Sequence, residues 1–224
     1  MATTLSQTTD IMKKTIPSRD ALAAAVSVYQ LNGRLVKKYQ LNEPGNKEQL
    51  VNHFSNVTAV LVSEDHYNLA DEILTNFQQR RTLDLLTNRP SGTFFLNVLD
   101  VISRDTVKLT ELGILAWAPK LHDDLIKRDN EREHELVICA DSSWLGKPGT
   151  TIELQFVPTA GRIFIKDYNV FSYTGHDGAG NHVSFYCRLD IPIGITIRGR
   201  VKSHRTRGNI KSTVLHYVKV VKPK

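Results

Sequence analysis

Apolar residues recur at helical spacing in the first two thirds of the chain. Leu69, Ile73 and Phe77 stand four residues apart, so they would form one buried stripe on a helix. The same spacing is repeated in other segments, and each stripe is typical of a helix-bundle core. The predicted helices are 66–88, 91–102, 112–117 and 121–133.

Residues 18–42 fit two interpretations. The alanine-rich run after Ser18 favours a helix, whereas Asn32-Gly33 between two β-rich runs is typical of a hairpin. The segment 42–48, NEPGNKE, predicts a turn. Pro119 is expected to end the helix 112–117.

After residue 150 apolar and polar residues alternate, as in strands with one buried face. The predicted strands are 151–157, 162–173, 182–188, 195–205 and 212–221. Five short strands in about 75 residues indicate a small barrel, and the OB-fold is a five-stranded barrel. The sequence therefore predicts an α+β protein whose mainly helical N-terminal domain precedes a C-terminal five-stranded OB-like β-barrel. Its parts are a flexible arm at 1–17, the helical domain at 18–140, a linker at 141–150 and the barrel with a basic tail at 151–224.

Composition narrows the class of protein. Of 224 residues, 41% are hydrophobic and 23% are charged, which argues against wholesale disorder. No apolar run approaches the roughly 20 residues that span a bilayer, and the N-terminus lacks a secretory pattern. Two distant cysteines, Cys139 and Cys187, exclude a disulfide scaffold and fit a reducing cytoplasm, that of the host if the protein is viral.

The positive charge is concentrated in the last third. Residues 151–224 carry 12 basic and 4 acidic residues, a net charge of +8, whereas residues 1–150 carry 17 and 19, a net charge of −2. Such asymmetry is the electrostatic footprint of a polyanion-binding surface. A basic surface that contacts only solvent would show the same excess of positive charge.

Alternation assigns the barrel side chains to faces. Ile163 and His216 are expected to face inward, and Thr213 and Leu215 outward. Basic residues and aromatics alternate on the outward side, as single strands require, because bases stack on rings while cations track phosphates. No acidic residue near the row beginning at Arg198 in sequence would neutralise it. The predicted nucleic-acid-binding residues are Phe164, Lys166, Tyr168, Tyr186, Arg188, Arg198, Arg200, Lys202, His204, Arg205, Arg207, Lys211, Tyr217 and Lys219.

Several of these residues fall in a recognisable pattern. An acidic-Gly-Asn turn, here 176–181, precedes an aromatic strand, a Gly-x-Val-Lys-x-His motif at 199–204, a basic loop at 205–208, Thr213 and a closing Val218-Lys219. This order resembles the C-terminal OB-like module of phage and bacterial replication and recombination proteins, as does LGILAWAPK before it. The resemblance implies a single-stranded DNA-binding protein acting in replication or recombination. It also implies a replication or recombination partner, or homo-oligomerisation, for the helical domain.

Other function classes stay open as alternatives. The barrel could dock an acidic protein as an assembly module, or bind RNA in a regulatory role. Phosphate-binding loops and nucleophile elbows are missing from the sequence, so no enzyme is expected, and a metal-dependent nuclease using Asp123-Asp124 is the weakest alternative. His176, Asp177 and His182 lie around glycines that predict a turn, so no metal or other cofactor is expected.

Overall fold

The structure, a computed structural model, describes residues 15–38, 43–159, 161–189, 191–192 and 194–221. They form two compact units that divide between Leu125 and Ile126, inside a long helix. The first unit is mainly helical and the second carries a six-stranded mixed sheet, so the α+β prediction is confirmed. Within the described ranges, no helix is both long and apolar enough to cross a bilayer.

The elements are numbered in chain order. The helices are α1 (Ser18–Asn32), α2 (Asn46–Phe54), α3 (Glu64–Leu86), α4 (Thr93–Ile102), α5 (Leu112–Leu115) and α6 (Ala118–Ile138). The strands are β1 (Thr15–Pro17), β2 (Thr106–Lys108), β3 (Thr151–Pro158), β4 (Ile163–Ile165), β5 (Val170–His176), β6 (His182–Cys187), β7 (Ile195–Arg207) and β8 (Ile210–Val220).

Helix α1 settles the ambiguity for the described part of the segment 18–42, and residues 39–42 lie outside the described residues. Its alanines have the highest helix propensity, and Asp20 in the first turn favours the positive end of the helix dipole. Gly33 has a φ of 61° and its N–H bonds to the carbonyl of Gln30. Asn32-Gly33 is therefore the C-terminal cap of a helix and not a hairpin turn.

Three other sequence predictions differ from the structure in the first unit. Residues 15–17 of the predicted flexible arm form β1, which pairs antiparallel with β2, and residues 1–14 lie outside the described residues. Helix α2 begins inside the predicted turn 42–48. Pro119 does not end a helix but occupies the first turn of α6, where its missing N–H costs no hydrogen bond.

Each unit has its own hydrophobic core. In the first, Phe77 and Ile73 of α3 are fully buried beside the alanine face of α1 and Val98 of α4. In the second, Phe156, Phe185, Ile197 and other inward residues of the sheet form a separate cluster. The observed burial matches the predicted periodicity in the first part of α3, in β6 and in the first half of β7. Near the end of α3, Leu83 and Leu86, predicted to continue the apolar stripe, are exposed.

The sheet of the second unit runs in the order β3-β7-β8-β6-β5-β4. Neighbours are antiparallel except β6 and β8, which pair in parallel from His182↔Ser212 to Phe185↔Leu215. The end of β3 also pairs with β5, through Val157↔His176 and Pro158↔Gly175. Five strands are thus connected in a ring, with the short β4 outside it.

The predicted strand 162–173 is two strands. A 3₁₀ turn over Lys166–Tyr168 and Asn169, whose φ is 49°, separate β4 from β5. Asn tolerates the left-handed conformation, so the chain reverses although apolar alternation continues on both sides. Ile163, expected to face inward, is 66% exposed.

Candidate nucleic-acid interface

A β-bulge in β8 shapes the centre of the predicted interface. Arg198 pairs with Lys219 and Arg200 with His216, so Tyr217 and Val218 together oppose Gly199. Tyr217 has a φ of 54° and is 75% exposed, while the neighbouring Val218 is buried. In bulges with a left-handed first residue, that residue is usually glycine, because a side chain is strained there.

The bulge also explains wrong face assignments in β8. Alternation predicted Leu215 and Thr213 to face outward, but both are buried, and the inward His216 is half-buried. A second register shift, at Lys202 of β7, lies between the pairs Val201↔Leu215 and Ser203↔Val214. Each extra residue inverts the alternation beyond it, and sequence periodicity does not reveal such a shift.

A groove opens where the parallel pairing of β6 with β8 ends. We call it the tyrosine groove; its volume is about 240 Å³ and its lining includes Ser172, Tyr186, Lys202, Arg205, His216 and Tyr217. Tyr186 is 59% exposed, and the rings of His216 and Tyr217 lie 4.3 Å apart between centroids. The groove brings together four predicted residues: Tyr186, Lys202, Arg205 and Tyr217.

A second depression, the cationic hollow, also borders Tyr217. It has a volume of about 430 Å³ and is lined by Thr151, Arg198, Gly199, Arg200, Tyr217 and Lys219. Arg198 and Lys219 are register partners on adjacent strands, an arrangement that is destabilising for like charges.

The structure corrects one point about this row of cations. Arg198 has an acidic neighbour, Glu153 on β3, at 3.8 Å, although both side chains are largely exposed and the pair is weak. Arg200 donates a hydrogen bond from Nε to the carbonyl of Gly149. Among the described residues no carboxylate lies within 4.0 Å of the Arg200, Lys202 or Lys219 cation.

The far end of the β7–β8 hairpin holds an aromatic residue that sequence reasoning missed. Trp144, in the predicted linker, stacks on His204 with 5.2 Å between centroids and an interplanar angle of 5°. The Lys211 ammonium lies 5.5 Å from the centroid of the Trp144 ring. The indole Nε1–H of Trp144 donates a hydrogen bond to the carbonyl of Arg205. Trp144 remains 46% exposed. Its position beside a basic loop is visible only after folding, because 61 residues separate it from Arg205.

The other predicted residues lie away from the lining of the tyrosine groove. Phe164 is on β4, where its ring contacts Phe171, and Lys166 and Tyr168 are on the 3₁₀ turn. Arg188 follows β6, and Arg207 ends β7 at the hairpin tip; both are exposed.

His182 and Asp177, considered in the sequence as metal ligands, serve structural roles. Asp177 accepts hydrogen bonds from the N–H groups of Ala179 and Asn181, which forms the predicted turn. The buried ring of His182 hydrogen-bonds to Ser212 at Nδ1 and to Glu135 of α6 at Nε2, both at 2.7 Å. The His182 hydrogen bond lowers the pKa of the Glu135 carboxyl, against the opposing effect of burial. The described residues contain no group of three or more His, Cys, Asp or Glu side chains able to hold a metal ion.

Comparison with known proteins gives no match: no family model, curated protein or solved structure matches the chain.

Proposed function

We propose that the protein binds single-stranded DNA through the tyrosine groove, and that the strands carrying the groove form an OB-like barrel. The ring of pairings β3–β7–β8–β6–β5–β3 supports the barrel. Its parallel β6–β8 pair joins strands that are not adjacent in sequence, as Greek-key closure requires.

The observation that carries the proposal is Tyr217. An exposed tyrosine at a φ of 54° is strained and buries little surface, so folding alone does not explain it. With Tyr186 it offers two aromatic faces for unpaired bases. Lys202 and Arg205 beside them are placed to neutralise phosphates.

This arrangement favours a single strand over a duplex. Stacking on Tyr186 or Tyr217 needs a base face that pairing and stacking conceal in a duplex. The proposed activity is binding, without a catalytic step. Its place in replication or recombination depends on the sequence resemblance, and the partner or oligomerisation role of the helical unit stays a prediction.

The test is a fluorescence-anisotropy titration of labelled single-stranded DNA at several salt concentrations. We expect affinity to fall steeply with salt, and Lys202→Glu to weaken binding at least about 10-fold, because it replaces a phosphate contact by a repulsion. Arg89→Glu, at an exposed site in the helical unit, makes the same charge change and is expected to bind as the wild type.

Competitors distinguish the remaining classes. Duplex DNA should compete poorly. RNA that competes better than DNA would replace the proposal by RNA binding, since the 2′-hydroxyl is what separates the two. No salt-sensitive binding to either nucleic acid would overturn the proposal and favour docking of an acidic protein.

A further inference from the structure

We infer that the bound strand crosses β8 at Tyr217 and continues into the cationic hollow, so that the protein has two phosphate-binding stretches on either side of one stacking residue. This inference rests on the proposed function. It concerns the opposite side of Tyr217 from Lys202 and Arg205.

The first support is the position of Tyr217. The same side chain lines both the tyrosine groove and the cationic hollow, and the bulge projects it between them. A base stacked on this ring places its neighbouring phosphates toward both depressions. The hollow is wide, at about 430 Å³, so it has room for backbone.

The second support is electrostatic. Arg198 and Lys219 are direct register partners, and Arg200 stands two residues along β7 on the same face. Three cations around one hollow repel each other, and Glu153 offsets this repulsion only weakly from 3.8 Å. A passing phosphodiester backbone would remove the repulsion, which is why the hollow fits a polyanion better than a neutral ligand.

The length of β7 defines the ligand. Arg198 and Arg205 are seven residues apart, which is about 23 Å along a strand. A mononucleotide cannot contact both Arg198 and Arg205, whereas the roughly 4–16 nucleotides covered by single OB-folds can. The ligand is therefore an extended oligonucleotide, and affinity should increase once the strand is long enough to occupy the hollow as well as the groove.

The experiment compares oligothymidylates of about 2, 8 and 16 nucleotides on the full chain, the shortest lying below the length that single OB-folds cover. The variant Arg198→Gln/Lys219→Gln removes two cations of the hollow and leaves the groove intact. At 0.1 M salt we expect about 25-fold weaker binding of the longest strand, a slope of log K against log salt that is shallower by about 1.4, and less than about 2-fold change for the shortest. The control variant Lys38→Gln/Arg89→Gln removes two exposed cations from the helical unit. It should change neither the affinity for any of the strands nor the salt dependence.

Folding of the variant is checked by thermal unfolding. Because Arg198 and Lys219 repel each other, their neutralisation should leave the melting temperature unchanged or raise it. A variant that binds every length like the wild type, while Lys202→Glu loses binding, would overturn the second stretch and leave the proposed function standing. Equal losses for short and long strands would also overturn it, since both cations would then belong to the groove. If neither variant affects binding, both proposals fail.

Discussion

Replacing Tyr217 by glycine is expected to affect the stability of the second unit and the proposed binding in opposite directions. The left-handed conformation costs a non-glycine residue about 1–2 kcal/mol, and glycine removes this cost. The greater conformational freedom of glycine in the unfolded chain offsets about 0.5–1 kcal/mol of this gain in stability. Loss of the contact between the His216 and Tyr217 rings lowers stability by about a further 0.5 kcal/mol, a small cost because Tyr217 is 75% exposed. The free energy of unfolding should therefore change by about −0.5 to +1 kcal/mol.

Binding should move in the opposite direction. A base stacked on an aromatic ring contributes about 1–3 kcal/mol, so Tyr217→Gly should weaken single-strand binding about 5- to 150-fold. Urea unfolding followed by circular dichroism measures the first quantity, and fluorescence anisotropy measures the second. Both are read on the same preparation.

Tyr168→Gly is the matched control. Tyr168 is 73% exposed, nearly as much as Tyr217, but its φ is not positive and it does not line the tyrosine groove. We expect this variant to lose about 0.5–1 kcal/mol of stability, which makes it the control for the unfolding measurement. Tyr217→Gly that unfolds as easily as Tyr168→Gly would refute the strain argument. Unchanged binding by Tyr217→Gly would refute the stacking role.

Two further predictions concern other sites. The fluorescence of Trp144 should be quenched when a single strand reaches the basic hairpin. The measurement uses a Trp117→Phe background, in which Trp144 is the remaining tryptophan. Unchanged emission at saturating DNA would exclude Trp144 from the interface. Burial lowers the pKa of His122 in α6 below its value in the unfolded chain. As pH drops below about 6.5 the unfolded chain is therefore protonated at His122 before the native state is, and the free energy of unfolding should fall. His122→Leu should reduce the loss of urea midpoint between pH 7.5 and 5.5, and an identical loss in the variant would contradict this cause.

Periodicity predicted the elements whose burial depends on one regular face. Leu69, Ile73 and Phe77 predicted α3 to within two residues at each end, because a helix that packs on one side must repeat its apolar residues. The alternation in β6 placed Phe185 inside and Tyr186 outside for the same reason.

Predictions failed where a local conformation outweighs the pattern. Asn32-Gly33 serves a hairpin or a helix cap equally well, and the choice depends on the packing of the alanine face of α1. Trp144 reaches its partners through tertiary contacts, which neither its neighbours in sequence nor its spacing indicate.

The bulge at Tyr217 is a further place where prediction failed, and it lies at the proposed binding site. It interrupts the alternation that predicts faces, and it is also what directs one aromatic ring between two groups of cations. A regular β8 would follow strict alternation and could not expose Tyr217 while burying both Val218 and Leu215. The residues that sequence periodicity assigns to the wrong face therefore lie beside the residue on which binding is proposed to depend, as expected when strain is retained for a site and compensated by the surrounding core.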